Sequence, residues 1–261
     1  KGLQELTRKF KVEPKGLEKF QVFVPAGTES KREDALEFNI PFGSLSPHEL
    51  SAIMGMNDTQ EDRFISLWDA QKEKINSKTA GIAAKNKKKN QWAAIDNNEE
   101  EEQDYPGLTI PDLINTLNEK VQEEKGSSKS SWLVVKRLLG RLKRFGIFDS
   151  TKDLLSIPDL IKAGRVSVLD LSSSYTIQVN NIVIAYLLRK IFDAKVKDES
   201  LPPTMIFIEE AHTFVSRENA SKMEALMDRL LEVTRRVRKR WLGLCFISQQ
   251  PSHLPDEIFE L

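Results

Sequence analysis

The segment Pro202–His212, PPTMIFIEEAH, decides how the fold of this chain is interpreted. Two prolines indicate a loop, and the apolar residues Met205–Ile208 that follow predict a short buried strand. The strand ends at two adjacent carboxylates, Glu209 and Glu210. Acidic side chains next to a buried strand are unfavourable for folding unless they have partners. The segment therefore predicts a strand that delivers an acid pair to an edge where chemistry is expected.

Strands and helices alternate around this segment. Arg165–Leu171 (RVSVLDL) and Leu242–Ile247 (LGLCFI) predict two further strands, and Ile177–Phe192 and Ser221–Arg240 predict the helices between them. Short apolar strands that alternate with helices indicate an α/β fold, with a parallel sheet buried on both faces. Because ligands bind at the carboxyl ends of such strands, three segments are expected along one edge: Asp170–Ser174, Glu209–His212 and Ser248–Gln250.

The first part of the chain has a different organisation. Residues 1–44 contain a short helix, Lys1–Val12, and two predicted strands, Lys19–Val24 and Glu37–Pro41, and are assigned to the same core as residues 164–261. Residues 45–163 are mostly helical and are interpreted as an inserted subdomain. One predicted helix begins at Ser46, which is followed by proline and then glutamate as in a capped helix, and another begins at Thr109. Two more span Thr59–Ile75 and the basic, amphipathic Ser131–Arg144.

The segment Lys78–Gln103 differs in composition from the rest of the subdomain. It contains KNKKKN followed by DNNEEEEQD and few large apolar residues. Separate blocks of like charge stay solvated, so the sequence predicts a mobile segment at about residues 78–103.

Composition excludes several classes of protein. The chain has 261 residues, with 39 basic and 39 acidic side chains, so a nucleic-acid-binding surface would have to be a local basic patch. Cys245 is the single cysteine, which excludes a disulfide framework and favours a reducing cytoplasm. No apolar run reaches the roughly 18 residues of a membrane span. The chain lacks an initiator methionine and stops within a pattern, which suggests part of a longer protein.

Two interpretations of Glu209 and Glu210 remain open from this segment alone. One carboxylate can hold Mg²⁺ through water, and the other can orient and deprotonate a water that attacks a phosphate. Alternatively, the two acids cap the next helix, whose N-terminus favours negative charge.

Two other features bear on this choice, and each has an ordinary explanation as well. Gln249 follows the next predicted strand, and its amide can both donate and accept hydrogen bonds near a phosphate or water, although a polar turn before Pro251 has the same sequence. Arg235 and Arg238 in the segment TRRVRKR can reach a phosphate in a neighbouring subunit. They also suit a helix C-terminus, where basic residues favourably meet the helix dipole.

The phosphate-binding loop GxxxxGK[ST] does not occur in the sequence. The segment Gly126-Ser-Ser-Lys-Ser-Ser lacks the second glycine and a preceding strand, so it is interpreted as a helix start. Asp170 is either a structural acid or part of the nucleotide edge. His212 is expected near that edge, whereas His48 and His253 are expected at the surface.

Three segments together resemble the HerA family of hexameric ATPases, relatives of the FtsK DNA pumps. They are IFIEEAHTFV, the helix leading into RRVRKRWLGL, and CFISQQPSHLP. RVSVLDLSS is also similar to that family. The resemblance covers about residues 160–261 and is thin before them. It implies a RecA-like parallel sheet core flanked by helices, which forms a ring and moves double-stranded DNA using ATP and Mg²⁺.

The resemblance also implies roles for individual residues. Glu209 matches the metal-side acid, Glu210 the catalytic acid and Gln249 the polar sensor, while Arg235 and Arg238 match basic positions near the subunit boundary and would act in trans. Gln250 stands where the family usually has an arginine. The family's phosphate loop has no counterpart in this sequence, so the fragment alone is expected to be inactive.

The function expected from this resemblance is an ATP-driven DNA translocase or helicase that works as a homo-hexamer in the cytoplasm. Its expected partners are double-stranded DNA and a NurA-like nuclease or another effector, in DNA end processing or antiphage defence. Two alternatives stay open. One is a related ring ATPase of a secretion or conjugation system, and the other is a non-hydrolysing assembly scaffold.

Overall fold

The computed structural model describes residues 2–11, 17–28, 30, 32–86, 105, 107–123, 127–148, 154–172, 176–214, 241–254 and 256. Strands β1 (Phe20–Pro25), β2 (Leu36–Phe38) and β3 (Val166–Leu169) form a parallel sheet in the order β2-β1-β3. In this sheet Phe20 is paired with Val166 and Phe23 with Leu169. Segments about 140 residues apart in sequence therefore build one sheet.

A second parallel pair consists of β4 (Thr204–Ile208) and β5 (Leu242–Phe246). The pairing is in register from Thr204 and Leu242 to Ile208 and Phe246. Because both strands end at the same level, the residues that follow them lie side by side.

Eight helices are described. They are α1 (Gly2–Phe10), α2 (Pro47–Ile53), α3 (Asp58–Asn86), α4 (Ile110–Glu123), α5 (Ser127–Arg144), α6 (Ile157–Leu160), α7 (Ile177–Lys197) and α8 (Ala211–Phe214). Side-chain caps fix three of their starts, since Ser46, Ser156 and Thr176 accept hydrogen bonds from the amides of Glu49, Asp159 and Val179. None of the helices within these described ranges is both long and apolar enough to cross a membrane.

Helices α2–α5 pack around a core of aromatic and aliphatic side chains. Trp68 is almost fully buried, and its ring lies 5.1 Å from that of Phe42 and 5.7 Å from that of Phe64. Leu113, Leu117, Val135 and Leu139 complete the centre of this core. Each fully buried large apolar side chain stabilises the fold by roughly 1.5–3 kcal/mol.

The chain leaves the first sheet and returns to it at one place. The amide of Ile40 donates to the carbonyl of Ile147 (2.9 Å), and the amide of Leu155 donates to that of Asn39 (3.2 Å). The helices between these two points therefore form an insertion between strands of the sheet. The predicted limits of the subdomain, residues 45 and 163, stay predictions.

Helix α7 connects the insertion to the second pair of strands. The buried Arg189 guanidinium donates to the Ser44 carbonyl and lies 4.0 Å from the Glu49 carboxylate. Nearly two turns further, the Lys195 ammonium donates to the carbonyls of Leu201 (3.0 Å) and Pro202 (2.6 Å), at the entry to β4. Burial lowers the pKa of Lys195, although nearby Asp198 partly opposes that shift.

The predicted α/β class, with parallel strands flanked by helices, is confirmed. Three expectations need correction. Helix α3 continues past Ile75 to Asn86, so the first part of the segment predicted to be mobile is helical. The described strands form two sheets, because β3 pairs with β1 and no described backbone pairing joins it to β4.

The third correction concerns burial of the strands. They were expected to be buried on both faces, but β3 and β4 each expose alternate side chains. Met205 and Phe207 of β4 are 58% and 63% exposed, and Val166 and Val168 of β3 are each 41% exposed. In the described part of the chain, one face of each of these strands is therefore only partly covered. The helix predicted for Ser221–Arg240 and residues 87–103 of the charged segment lie outside the described residues.

Candidate functional site

The turn after β4 is fixed by hydrogen bonds to the chain after β5. The amide of Ile247 donates to the carbonyl of Ile208 (2.9 Å), and the amide of Ala211 donates to that of Ile247 (3.0 Å). Ile208 and Ala211 are buried, whereas Glu209 and Glu210 between them are exposed. The two acids thus stand on a rigid turn with their side chains in solvent.

Glu210 has a left-handed backbone conformation, with φ at 50°. A residue with a side chain adopts this conformation at a cost of roughly 1–2 kcal/mol. Two hydrogen bonds hold the peptide in place, because both the amide and the hydroxyl of Thr213 donate to the Glu210 carbonyl, at 2.8 and 2.9 Å. Strain of this kind is found where a side chain must be aimed in a particular direction.

The Glu210 carboxylate is in contact with residues from both strand ends. Gln249 Nε2 donates to Glu210 Oε1 at 2.8 Å, and His212 Nδ1 lies 3.5 Å from Glu210 Oε2. His212 Nδ1 is also 3.2 Å from Ser248 Oγ. Since a carboxylate only accepts hydrogen bonds, its attraction to His212 requires a proton on Nδ1. The four side chains form a connected group, Gln249–Glu210–His212–Ser248.

Glu209 differs from its neighbour. Its side chain is exposed, and within the described ranges it makes no ion pair or side-chain hydrogen bond. Among the described residues, no side chain competes with a ligand or ordered water for its carboxylate.

The donor set fits one kind of metal site. Among the described residues, no group of three or more histidine, cysteine, aspartate or glutamate side chains can enclose a metal ion. Mg²⁺ does not need such a group, because it keeps several waters and binds one or two carboxylates together with substrate phosphates. Glu209 and Glu210 can supply the protein part of such a site, while the remaining ligands would come from water and phosphate.

The structure brings together Glu210 and Gln249, which the sequence predicted at one edge, and it adds His212 and Ser248 to them. Asp170 lies elsewhere, at the end of β3 in the other sheet. Its carboxylate accepts from the amide and hydroxyl of Ser172, which is a local structural role. Because β3 pairs with β1, and no pairing among the described residues joins it to β4 or β5, the common edge expected for Asp170 stays a prediction.

The other residues predicted from the sequence are histidines and arginines. His48 lies 3.3 Å from Glu61 at the surface, and His253 is exposed, as expected for both. Arg235 and Arg238 lie outside the described residues. Sequence reasoning placed His212 near the edge without a partner. The signal that could have found it is its spacing from Glu210, because a residue two positions on, at the start of a helix, can turn back toward the carboxylate.

Comparisons with known proteins place the chain in a family. Residues 4–191 match the family model described as "Helicase HerA, central domain". The curated "DNA double-strand break repair helicase HerA" of Sulfurisphaera tokodaii is 29% identical over 154 residues, which cover 55% of this chain and 30% of that protein. The chain thus spans less than a third of that relative. Among solved structures, VirB4 of Thermoanaerobacter pseudethanolicus is similar with a TM-score of 0.48 and 18% identity, over 82% of this chain and 66% of that one.

The family match ends at residue 191, before β4 begins, so it does not extend to Glu209, Glu210 or Gln249. The evidence for a site at these residues is therefore their own geometry. The match covers the whole sheet β2-β1-β3, the inserted helices and α7 as far as residue 191. On that evidence the chain belongs to the HerA helicase central-domain family, a family of P-loop ATPases.

Proposed function

We propose that this chain carries the hydrolysis side of the ATP site in an ATP-driven double-stranded DNA translocase. The observation that carries the proposal is the contact between Glu210 and Gln249 at the ends of two paired parallel strands. This contact supports the proposal because ligands bind at the carboxyl ends of parallel strands in α/β sheets, where the carboxylate and the amide meet. Family membership supports the substrate, since P-loop ATPases hydrolyse nucleoside triphosphates.

Glu210 is the residue that activates water. Its carboxylate accepts a proton from the water as the water oxygen bonds to the γ-phosphorus and the bond from phosphorus to the ADP oxygen breaks. The left-handed backbone and the hydrogen bond from Gln249 hold this carboxylate in one direction before substrate arrives. Pre-organisation of this kind avoids reorientation during the reaction.

Glu209 and Gln249 have supporting roles. Gln249 donates to Glu210 and keeps its carbonyl oxygen to accept a hydrogen bond from the attacking water. Glu209, whose carboxylate has no side-chain partner among the described residues, would hold Mg²⁺ through water. Mg²⁺ would neutralise charge on the phosphate oxygens. The phosphate loop would come from outside these 261 residues, and Arg235 and Arg238 would contact the phosphates of a neighbouring subunit in a homo-hexameric ring.

The relative from Sulfurisphaera tokodaii supports a role in DNA repair, because it is described as a double-strand break repair helicase. We extend this to a cytoplasmic ring that acts on duplex DNA with a NurA-like nuclease or another effector, in end processing or antiphage defence. If duplex DNA is the substrate of this ring, adding duplex DNA should change its rate of ATP turnover.

The test is Glu210→Gln in the protein that contains this chain. The amide keeps the size of the side chain but cannot accept the proton, so we expect ATP binding to be retained and turnover to fall by about 10²-fold or more. Glu37→Gln, at an exposed position of β2, is the matched control and should leave turnover unchanged. Normal steady-state hydrolysis by Glu210→Gln would refute the assignment, and turnover indifferent to duplex DNA would refute the substrate.

A further inference from the structure

Helix α5 carries a concentration of positive charge that the site does not use. Its sequence, SSKSSWLVVKRLLGRLKR, contains six basic residues and no acidic one, although the chain as a whole has no net charge. The basic residues are Lys129, Lys136, Arg137, Arg141, Lys143 and Arg144.

The basic residues occupy one side of the helix. Trp132, Val135, Leu139 and Leu142 are buried against α3 and α4. All the basic residues except Arg141, which is partly buried, are exposed. At 3.6 residues per turn the six fall within about half of the helix circumference, opposite the buried side chains. The solvent face of α5 is therefore basic along its whole length.

The helix dipole accounts for only part of this charge. Arg141, Lys143 and Arg144 lie in the last turn, where cations are favourable. Lys129 stands at the start of the helix, where a cation is unfavourable, and Lys136 and Arg137 are in the middle. In the described part of the chain, none of the six makes an ion pair or a side-chain hydrogen bond. Within the described ranges, the helix and its packing therefore do not depend on ion pairs or side-chain hydrogen bonds from these six residues.

We infer that the basic face of α5 binds the phosphate backbone of duplex DNA. Lys129, Lys136 and Lys143 are seven residues apart and form one row about 21 Å long, at 1.5 Å per residue. This row is about two thirds of one 34 Å turn of duplex DNA. Flexible ammonium groups at this spacing suit contacts to phosphates, which position a protein on DNA without reading its sequence.

The exposed face argues against other partners. It carries no aromatic side chain, since Trp132 is buried, and single-stranded nucleic acid is bound mainly by stacking on aromatic rings. Leu133 is its one large apolar residue, 47% exposed, and a protein interface needs a larger apolar or aromatic anchor. A membrane would need the apolar face of α5, which is already packed against α3 and α4.

The inference rests on the proposed function for the identity of the substrate, but its test needs no ATP hydrolysis. The variant is Lys129→Gln, Lys136→Gln, Lys143→Gln, made in the protein that contains this chain. Glutamine has a helix propensity close to that of lysine, so α5 should be retained. The matched control, Lys19→Gln, Lys162→Gln, Lys197→Gln, removes the same charge from exposed lysines outside α5.

Binding is measured by fluorescence anisotropy without nucleotide, on a duplex of about 30 base pairs between about 0.05 and 0.2 M salt. Three lost phosphate contacts should reduce the slope of log K against log salt by about 2.7 and weaken binding at least about tenfold, whereas the control should change the slope by less than about 1. Thermal unfolding of both variants checks that each is folded.

Equal loss of duplex binding in both variants would overturn the inference, because the total positive charge of the protein would then explain the binding. Binding of a single strand or of phosphatidylserine vesicles that depends on these lysines, with duplex binding unchanged, would overturn it as well. If Glu210→Gln retains turnover while the α5 variant still loses duplex binding, the proposed hydrolysis site fails and the DNA surface stands. If Glu210→Gln behaves as expected and the α5 variant matches the control, the DNA surface alone fails.

Discussion

Replacing Glu210 by glycine and by alanine separates the effect of its backbone from that of its carboxylate. Both variants lose the hydrogen bond from Gln249, so the difference between them reports the backbone alone. At φ 50° alanine has the same left-handed cost as glutamate, roughly 1–2 kcal/mol, and glycine does not. Glycine loses about 0.5–1 kcal/mol more backbone entropy on folding. The glycine variant should therefore be more stable than the alanine variant by about 0.5–1 kcal/mol.

The matched control is Glu73, an exposed residue within α3. In a helix interior the order reverses, because glycine is about 1 kcal/mol less favourable than alanine. The assay is equilibrium urea denaturation of the four variants, with thermal unfolding as a second measurement. Each kcal/mol corresponds to about 2–4 °C in Tm for a domain of this size. If Glu210→Ala is as stable as Glu210→Gly or more so, while the Glu73 pair behaves as a helix should, Glu210 is not held in a left-handed backbone.

Two further perturbations test the packing that supports the site. Gly43→Ala should destabilise the fold by about 1–3 kcal/mol in urea denaturation, since an added Cβ would overlap the carbonyl of Tyr105. The control Gly140→Ala in α5, which has open space around it, should instead stabilise the fold by up to about 1 kcal/mol. Equal effects of the two substitutions would contradict the close approach of Gly43 to Tyr105. For Lys195 the lowered pKa means that the unfolded state binds more protons, so stability should rise with pH from the lowered folded pKa to the ordinary value of 10.5. Lys195→Met should lack this rise when both proteins are unfolded from about pH 8 to pH 10.5, and identical pH profiles would contradict the buried charge.

Local sequence signals predicted many of the elements. Ser46, followed by proline and Glu49, predicted the start of α2, and Ser46 accepts the hydrogen bond from the Glu49 amide. The apolar run before Glu209 predicted β4 to within one residue of its observed limits, Thr204–Ile208. Such signals act within one or two turns of chain, so neighbouring residues are sufficient to specify them.

The end of α3 shows where composition misleads. The blocks of charge after Ile75 predicted a mobile segment, yet the helix continues to Asn86. The sequence there includes Ala80, Ala83 and Ala84, and alanine has the highest helix propensity. Propensity can extend a helix that packing has already nucleated, because adding one residue costs less than starting a new helix.

Strand pairing could not be predicted from the sequence. β3 and β4 follow each other along the chain with one helix between them, which favoured neighbouring positions in one sheet. Instead β3 pairs with β1, which lies before the whole helical insertion. The choice depends on contacts between residues far apart in sequence, and no local pattern records those contacts.

The sequence by itself determined which chemical groups this protein can use: an acid pair after an apolar strand, an amide after the next one, and a helix with only basic charges. Tertiary structure decided which of them meet. The shared register of β4 and β5 brings Gln249 to Glu210 across 39 residues of sequence, and the same packing places His212 and Ser248 beside them while leaving Asp170 in another sheet. The physical reason is that side-chain identity is local, whereas proximity and the left-handed backbone of Glu210 result from how the strands pair and how the turn between them is held.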